Sequence, residues 1–473
     1  MQHVDELALS TASSDNVIGI LAVCDSISYC MMMNAITRAG FVPFAISPRN
    51  SAKGLAHLLR ITKTTYVYAS QDNTMQVLVS SANEILKSEG GASLPLLGMP
   101  SFDQFQDDFQ SPSLLPPMVR PDEKSTAVIL HSSGSTSELS KPIPLSHKTY
   151  LQWALLPCYG ERDLCGEIMA CQSVPILPTP AVALASAKAS KSTLLFCVPA
   201  FLEIWSSTPE GMDMLKAMKA VVSAGAPLSR DIGNKLIKER VMLTQFYGAI
   251  ETGCLSLYLP LESYGKDWEY FIFSKHCKPV LKLRNDMGSN LYELILVDIP
   301  SHTPCFINME VEGKSAYLLN DLLEPHPERS NFWRVYGRTD DQITLSNGLN
   351  INPVPTETHI AKHPDIAFAI MFGKAHTHPG LLVQLRKDLI FDPLNKEGLD
   401  SIRERIWPTV EQANTTVQKH TTIIKEMIIV ASPEKPFDLT GKMQPRRHVV
   451  LKSYESEIAY KDVENYSVLQ ASV

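Results

Sequence analysis

The sequence predicts an α/β protein: a large N-terminal α/β domain with parallel sheets covered by helices, then a smaller α+β unit. Three observations carry this expectation. Apolar runs of strand length alternate with stretches of helical periodicity from Val17 to Lys87. The 473 residues exceed what one small core needs. Beyond Gly337 the texture changes to short apolar runs around a turn signal.

In chain order, Val17 to Cys24 reads as a buried strand, Ser26 to Ala39 as a helix that Gly40 can cap, and Phe41 to Ile46 as the strand completing a βαβ unit. Helix Ala52 to Arg60, strand Thr65 to Ala69 and helix Asp72 to Lys87 continue the alternation. Gly91 to Pro121, rich in Pro, Ser and Asp, reads as a surface connection ahead of strand Thr126 to Leu130. In the second unit, Ile366 to Phe372 and Leu381 to Leu385 flank His376-Thr-His-Pro-Gly380, and a helix over Ser401 to Ala413 precedes a strand over Thr421 to Val430.

Hydrophobic residues at 44% and charged residues at 20% describe a folding chain, not a disordered one. The net charge of −7 offers no global attraction to nucleic acid or anionic lipid, so any phosphate site is local. Nine Cys without a CxxC pair suggest neither a disulfide framework nor a zinc ribbon, and fit a reducing compartment. Val17 to Cys24 is too short to span a bilayer, and Asp5, Glu6 and Asp15 precede it where a signal peptide carries positive charge. A soluble cytoplasmic protein is expected.

His131-Ser-Ser-Gly-Ser-Thr-Ser-Glu-Leu-Ser-Lys141 packs hydroxyls, a Gly and a Lys into one loop after a strand. Backbone N–H groups near Gly134 and the hydroxyls of Ser133, Ser135 and Thr136 suit phosphate oxygens, and Lys141 adds a point charge. The same composition also suits a Ser-rich surface turn. It is not a Walker A loop, because Leu139 stands where that pattern requires its second Gly. Further along come Ser223-Ala-Gly-Ala-Pro227, Gln245-Phe-Tyr-Gly-Ala-Ile-Glu-Thr252, Tyr317-Leu-Leu-Asn-Asp321, Tyr336-Gly-Arg-Thr-Asp-Asp341 and Pro436-Phe-Asp-Leu-Thr-Gly-Lys442. A flat phenol suits a purine face, a hard carboxylate suits Mg²⁺, and a carboxylate accepting two O–H bonds suits a vicinal diol.

In this order the segments resemble the adenylate-forming superfamily of acyl-CoA synthetases, nonribosomal adenylation domains and luciferases. The resemblance implies ATP as co-substrate with Mg²⁺, and an adenylate-forming ligase activity on a carboxylic acid. By that match the loop residues His131, Ser133, Gly134, Ser135, Thr136 and Lys141 meet phosphate, while Ala224 and Gly225 leave room for adenine and the acyl group. Tyr247 stacks on adenine beside Thr252, Glu251 helps hold magnesium, and Asp321 binds the ribose hydroxyls. Arg338 contacts ribose or phosphate. Asp340 matches the hinge between a large domain over 1–339 and a mobile lid domain over 340–473, and the lid's Lys442 enters the active site.

Asn320 to Pro327, Leu345 to Pro353 and Tyr159 to Cys165 further resemble fungal adenylate-forming carboxylic acid reductases. In those enzymes the acyl group passes to a carrier-bound phosphopantetheine thiol and is reduced. The resemblance implies that thiol, or CoA, as acceptor and a carrier protein as partner, with no nucleic acid or membrane partner. No carrier serine motif or GxGxxG fingerprint precedes Val473, so the activating part alone is expected.

Five departures from the family pattern stand out. Ser137 replaces a Gly, an extra residue precedes Lys141, and Gly348 falls one place late. The chain also begins almost at a core strand, and Ala170 to Pro180 crosses directly where relatives carry a helix and a strand that wall the acyl pocket. These leave two alternatives to acid activation for a carrier: a stand-alone acyl-CoA ligase, or a degenerate nucleotide-binding chain without turnover.

Overall fold

A computed structural model describes residues 16–108, 121–132, 139–156, 179–257, 259–260, 264–284, 290–346, 350–374, 376, 378–389, 395–415, 417, 422–440 and 444–460. Ser133, Gly134, Ser135, Thr136, Ser137, Gly348, Lys442, the span Tyr159 to Cys165 and the crossing at 170–178 lie outside the described residues.

The first sheet grows from the expected βαβ units. Strands β1 (Val17–Leu21), β2 (Val42–Ala45) and β3 (Thr64–Ala69) pair in parallel, with β1 between the other two. Helices α1 (Ser26–Arg38), α2 (Ala52–Ile61) and α3 (Asn73–Ser88) connect and cover them. Each helix begins at a side-chain cap: Asp25 accepts from Ser28 N at 2.8 Å, Ser51 from Gly54 N at 3.1 Å and Asp72 from Met75 N at 3.1 Å. Gly40 follows α1 at φ +84°, the left-handed conformation that closes a helix most easily at glycine. One sheet face packs Leu21, Phe44, Leu55, Leu59, Val67 and Val79, and the other packs Ile18, Ile20, Ile36 and Tyr68, all buried. Each such aliphatic side chain contributes roughly 1.5–3 kcal/mol relative to exposure.

The connection expected over 91–121 is more structured than its composition suggests. It contains β4 (Leu96–Gly98), which joins the sheet edge in parallel with β3, and α4 (Phe102–Asp108). Three residues are too few to show strand periodicity, so the neighbouring strand supplies the order. At the opposite edge, β5 (Thr126–His131) is followed by β6 (Pro142–Ser146), which runs antiparallel to it. The first sheet is therefore mixed. Pro142 and Pro144 fit there because an edge strand leaves one side unbonded.

A second, parallel sheet of β7 (Leu194–Cys197), β8 (Ala220–Ala224) and β9 (Leu243–Phe246) follows helix α5 (His147–Ala154) and helix α6 (Pro180–Ala189). Helices α7 (Pro199–Ser206), α8 (Pro209–Ala217) and α9 (Arg230–Lys238) cover it through Leu202, Trp205, Leu215 and Leu236, with Trp268 from a later turn packed among them. A short hairpin of β10 (Gly248–Ala249) and β11 (Gly253–Cys254) leads to an antiparallel sheet that the sequence reading did not contain: β12 (Lys278–Leu283), β13 (Tyr292–Val297), β14 (Met309–Val311), β15 (Lys314–Pro325) and β16 (Trp333–Arg338).

The C-terminal part opens with β17 (Ile343–Thr344) and β18 (Asn350–Ile351), followed by α10 (Pro353–Ile360). The expected hairpin is present as β19 (Ile366–Phe372) and β20 (Gly380–Leu385), and α11 (Lys396–Asn414) is longer than its periodicity indicates. The strand expected over 421–430 shrinks to β21 (Ile428–Val430), because Lys425-Glu426-Met427 form a 3-10 turn that carries charge to the surface. α12 (Arg447–Ser453) packs through Val450, and the described chain continues as helix over 455–460, burying Ile458. Among the described residues no helix is long and apolar enough to cross a membrane.

Candidate active site

The carboxyl ends of β8 and β9 point toward one place, as parallel strands commonly do at binding sites. β8 ends at Ala224, and Gly225 turns away at φ +85°, leaving a side-chain-free backbone there. β9 ends one residue before Tyr247. The Tyr247 hydroxyl donates to Asp321 Oδ2 at 2.7 Å, and its ring stacks on Phe271 with centroids 4.5 Å apart and planes at 17°. One face of the phenol expected to meet adenine is therefore already covered from within.

Asp321 lies mid-strand in β15, opposite Arg338 at the end of β16. Arg338 Nη1 approaches Asp321 Oδ1 at 3.4 Å, while its Nε and Nη2 fork onto the two oxygens of Asp340 at 2.8 and 2.9 Å. Burial raises the Asp321 carboxyl above its ordinary range, with Arg338 and the Tyr247 hydrogen bond acting against that rise. Burial and then the Asp321 charge push the Tyr247 phenol well up, so it stays a hydrogen-bond donor. Burial alone would lower the Arg338 guanidinium, but the Asp340 hydrogen bonds and the charges of Asp321, Asp340 and Asp341 hold it above its usual value. Three expected residues, distant in sequence, thus form one bonded cluster.

Glu251 and Thr252 occupy the turn of the β10–β11 hairpin. Cys305 N donates to Glu251 O at 2.8 Å, and the Glu251 charge adds to burial in pushing both the Cys305 thiol and the Tyr317 phenol to about 12. A hard carboxylate oxygen donor such as Glu251 fits a magnesium ion. Thr252 is fully buried, and its hydroxyl accepts from Ala249 N at 3.2 Å while donating to Gly253 O at 3.1 Å. It shapes the turn.

His131, at the end of β5, takes a hydrogen bond from Ser47 N on Nε2 at 2.9 Å and donates from Nδ1 to Ser132 O at 2.9 Å. Burial lowers its pKa and keeps it neutral, leaving no ring nitrogen for a phosphate oxygen. The imidazole instead ties the loop's first strand to the β2–α2 connection. The loop's far end is fixed by Lys141, whose N donates to Ser132 Oγ at 3.0 Å and whose O accepts from Ser132 N at 2.9 Å, while the residue itself is exposed. Leu439 and Pro445 bridge across 441–443, with Thr440 N donating to Gln444 O at 2.7 Å, so the flanks of Lys442 are pinned together.

Several residues at this place escape the sequence reading: Phe271 under Tyr247, Trp153 against Gly253, and His276 and His302 behind the hairpin. No local spacing marks them. The Gly253 turn is the single sequence hint.

A family model described as AMP-binding enzyme matches residues 11–171, and one described as AMP-binding enzyme C-terminal domain matches residues 340–464. The adenylate-forming reductase Nps10 of Heterobasidion annosum is 35% identical over 493 aligned residues, covering 96% of this chain and 45% of that protein. The chain spans less than half the length of the curated relatives first matched, at 45%, 43% and 44%. In fold it is similar to ATP-bound MatB from Rhodopseudomonas palustris, with a TM-score of 0.70 and 15% identity over 96% of this chain and 92% of the other. It is also similar to the A domain of carboxylic acid reductase from Segniliparus rugosus in complex with AMP and a co-purified carboxylic acid, with a TM-score of 0.68 and 13% identity over 98% and 85% of the two chains.

Proposed function

Since the chain belongs to the AMP-binding superfamily of adenylate-forming ligases, and is similar to the adenylation unit of fungal adenylate-forming reductases, we propose that it activates a carboxylic acid with ATP. A carboxylate oxygen attacks the α-phosphorus, the bond to the bridging oxygen breaks, and acyl-AMP and pyrophosphate result. The observation that carries this reading is the Tyr247–Asp321–Arg338 cluster, which offers a carboxylate for the ribose hydroxyls and a guanidinium for ribose or phosphate.

Nucleotide entry requires the Tyr247 hydroxyl to yield Asp321 Oδ2 to a ribose hydroxyl, an exchange of one hydrogen bond for another. Ala224 and Gly225 leave space for the base, with Ser133, Gly134, Ser135, Thr136 and Lys141 on the phosphates. Glu251 would hold Mg²⁺, which would supply charge neutralisation for the leaving pyrophosphate. Lys442 stabilises charge that builds between carboxylate and α-phosphate once the C-terminal part closes, turning about Asp340 with the domain boundary at 339/340.

We further infer that the acyl group passes to a carrier-bound phosphopantetheine thiol for reduction; the names of the sequence relatives, adenylate-forming reductases, support the reduction. Free cysteines among the described residues, including exposed Cys30, fit a reducing cytoplasm. Pyrophosphate exchange with a panel of aryl, fatty and amino acids tests the reading. Exchange with one class is expected, and transfer to a carrier thiol rather than to CoA then separates the two acceptors. A second reading, nucleotide binding without turnover, draws on the Nps10 alignment being longer than this 473-residue chain, so that the relative has residues this chain lacks. It predicts AMP binding with no exchange, and recovery when a relative's segment is inserted between Pro175 and Ile176.

A further inference from the structure

The β10–β11 hairpin has two residue pairs, Gly248 with Cys254 and Ala249 with Gly253. So short a ribbon does not hold its own geometry in water, and surrounding groups must fix where its turn presents Glu251. Two buried imidazoles lie behind it. His302 Nε2 bonds Thr252 O at 2.7 Å and His276 Nε2 bonds Cys254 O at 3.1 Å. A carbonyl can only accept, so both rings carry their proton on Nε2. Thr252 O lies in the hairpin's turn and Cys254 O on β11, two residues on. The rings stand 5.2 Å apart at 57°, so the pair holds both the turn and the strand that follows it.

Their supports differ. His276 Nδ1 meets the Ser274 hydroxyl at 2.8 Å, whereas His302 Nδ1 is buried with no hydrogen-bond partner among the described residues. His302 is held instead through its backbone. Ile299 and His302 exchange two hydrogen bonds of 3.0 Å, and Gln152 spans the same turn, donating to Pro300 O at 3.0 Å and accepting from Thr303 N at 2.9 Å. Ser301 Oγ donates to His276 O at 2.8 Å, joining the two histidines' segments. Cys305 N, three residues on, holds Glu251 O at 2.8 Å. The turn over 299–302 and the Glu251 turn are thus one braced unit.

We propose that His302, with His276, is a positioning residue that sets the Glu251 carboxylate for a magnesium nucleotide. The assignment rests on the reading of Glu251 given above. A donor at the Nε2 position is required, so Gln, whose amide nitrogen reaches about as far, substitutes for His, and Asn, one methylene shorter, does not.

The test is Mn²⁺ binding in the presence of ATP, read by loss of the free-ion electron paramagnetic resonance signal, alongside calorimetry with AMP and a thermal melt. His302→Leu and His302→Asn are expected to weaken Mn²⁺·ATP by about tenfold, the scale of one lost hydrogen bond, with AMP affinity within about twofold. His302→Gln is expected to bind within about threefold of the parent. Should the Leu variant not fold, the Gln and Asn variants decide the matter between them. Equal Mn²⁺·ATP binding by parent and folded Leu or Asn variants overturns the positioning role alone, as does a parallel fall in AMP and Mn²⁺·ATP affinity. No Mn²⁺·ATP binding by the parent overturns the reading of Glu251 and this assignment together.

Discussion

Asp321 carries two demands on one carboxylate, accepting from Tyr247 and facing Arg338, while burial raises the cost of its charge. Asp321→Ala should weaken AMP binding by about tenfold or more in calorimetry, because charge-assisted bonds to both ribose hydroxyls are lost. Lys442→Ala makes the opposite split: pyrophosphate exchange falls by about 100- to 1,000-fold while AMP binding is retained, since its charge is spent on the transition state. His302 supplies a pH prediction. Burial, then the neighbouring His276, lowers its pKa from 6.5 to about 4, with the Thr252 bond and Asp298 acting against the shift. The unfolded chain then takes up a proton between those values that the folded chain refuses, so stability falls as pH drops from 6.5 toward 4. The loss is on the order of 3 kcal/mol at most. Denaturant melts across that window should show a slope that His302→Gln reduces.

Trp153 packs against the β10–β11 hairpin at Gly253. A Cβ on Gly253 would lie 2.7 Å from the Trp153 ring, and Gly253 already sits at φ +68°. Gly253→Ala therefore combines left-handed strain with overpacking, and should lower stability by about 2–4 kcal/mol in denaturant unfolding. Elements with a local signal were readable in the sequence: the βαβ alternation from Val17, the Gly40 that closes α1, and the β19–β20 hairpin around His376 to Gly380. β4 and β6 were not, because three residues in one case and a Pro-Ile-Pro sequence in the other carry no strand signature. The same divide runs through the site. Tyr247, Asp321 and Arg338 stand in contiguous motifs, whereas Gln152, His276 and His302 come together through backbone groups that folding brings into reach.

At the scale of the whole molecule, two contacts bear on how the C-terminal part sits. Lys362, just after α10, pairs with Asp231 on α9, and Arg338 grips both oxygens of Asp340. The first pair is exposed, so Asp231→Asn should change the ratio of thiol transfer to adenylation by no more than about fivefold. Asp340→Pro restricts φ at the proposed hinge and removes the Arg338 fork, and should depress thiol transfer far more than exchange. Equal loss in both half-reactions, with folding intact, would make Asp340 merely structural. The two ends of the first sheet have a different bearing, on how copies of the chain treat one another. One edge is the three-residue β4, and the other is β6, whose Pro142 and Pro144 have no N–H to offer. Neither gives a stranger's backbone a ladder to extend, so this sheet is shielded from edge-to-edge aggregation while the chain is still folding.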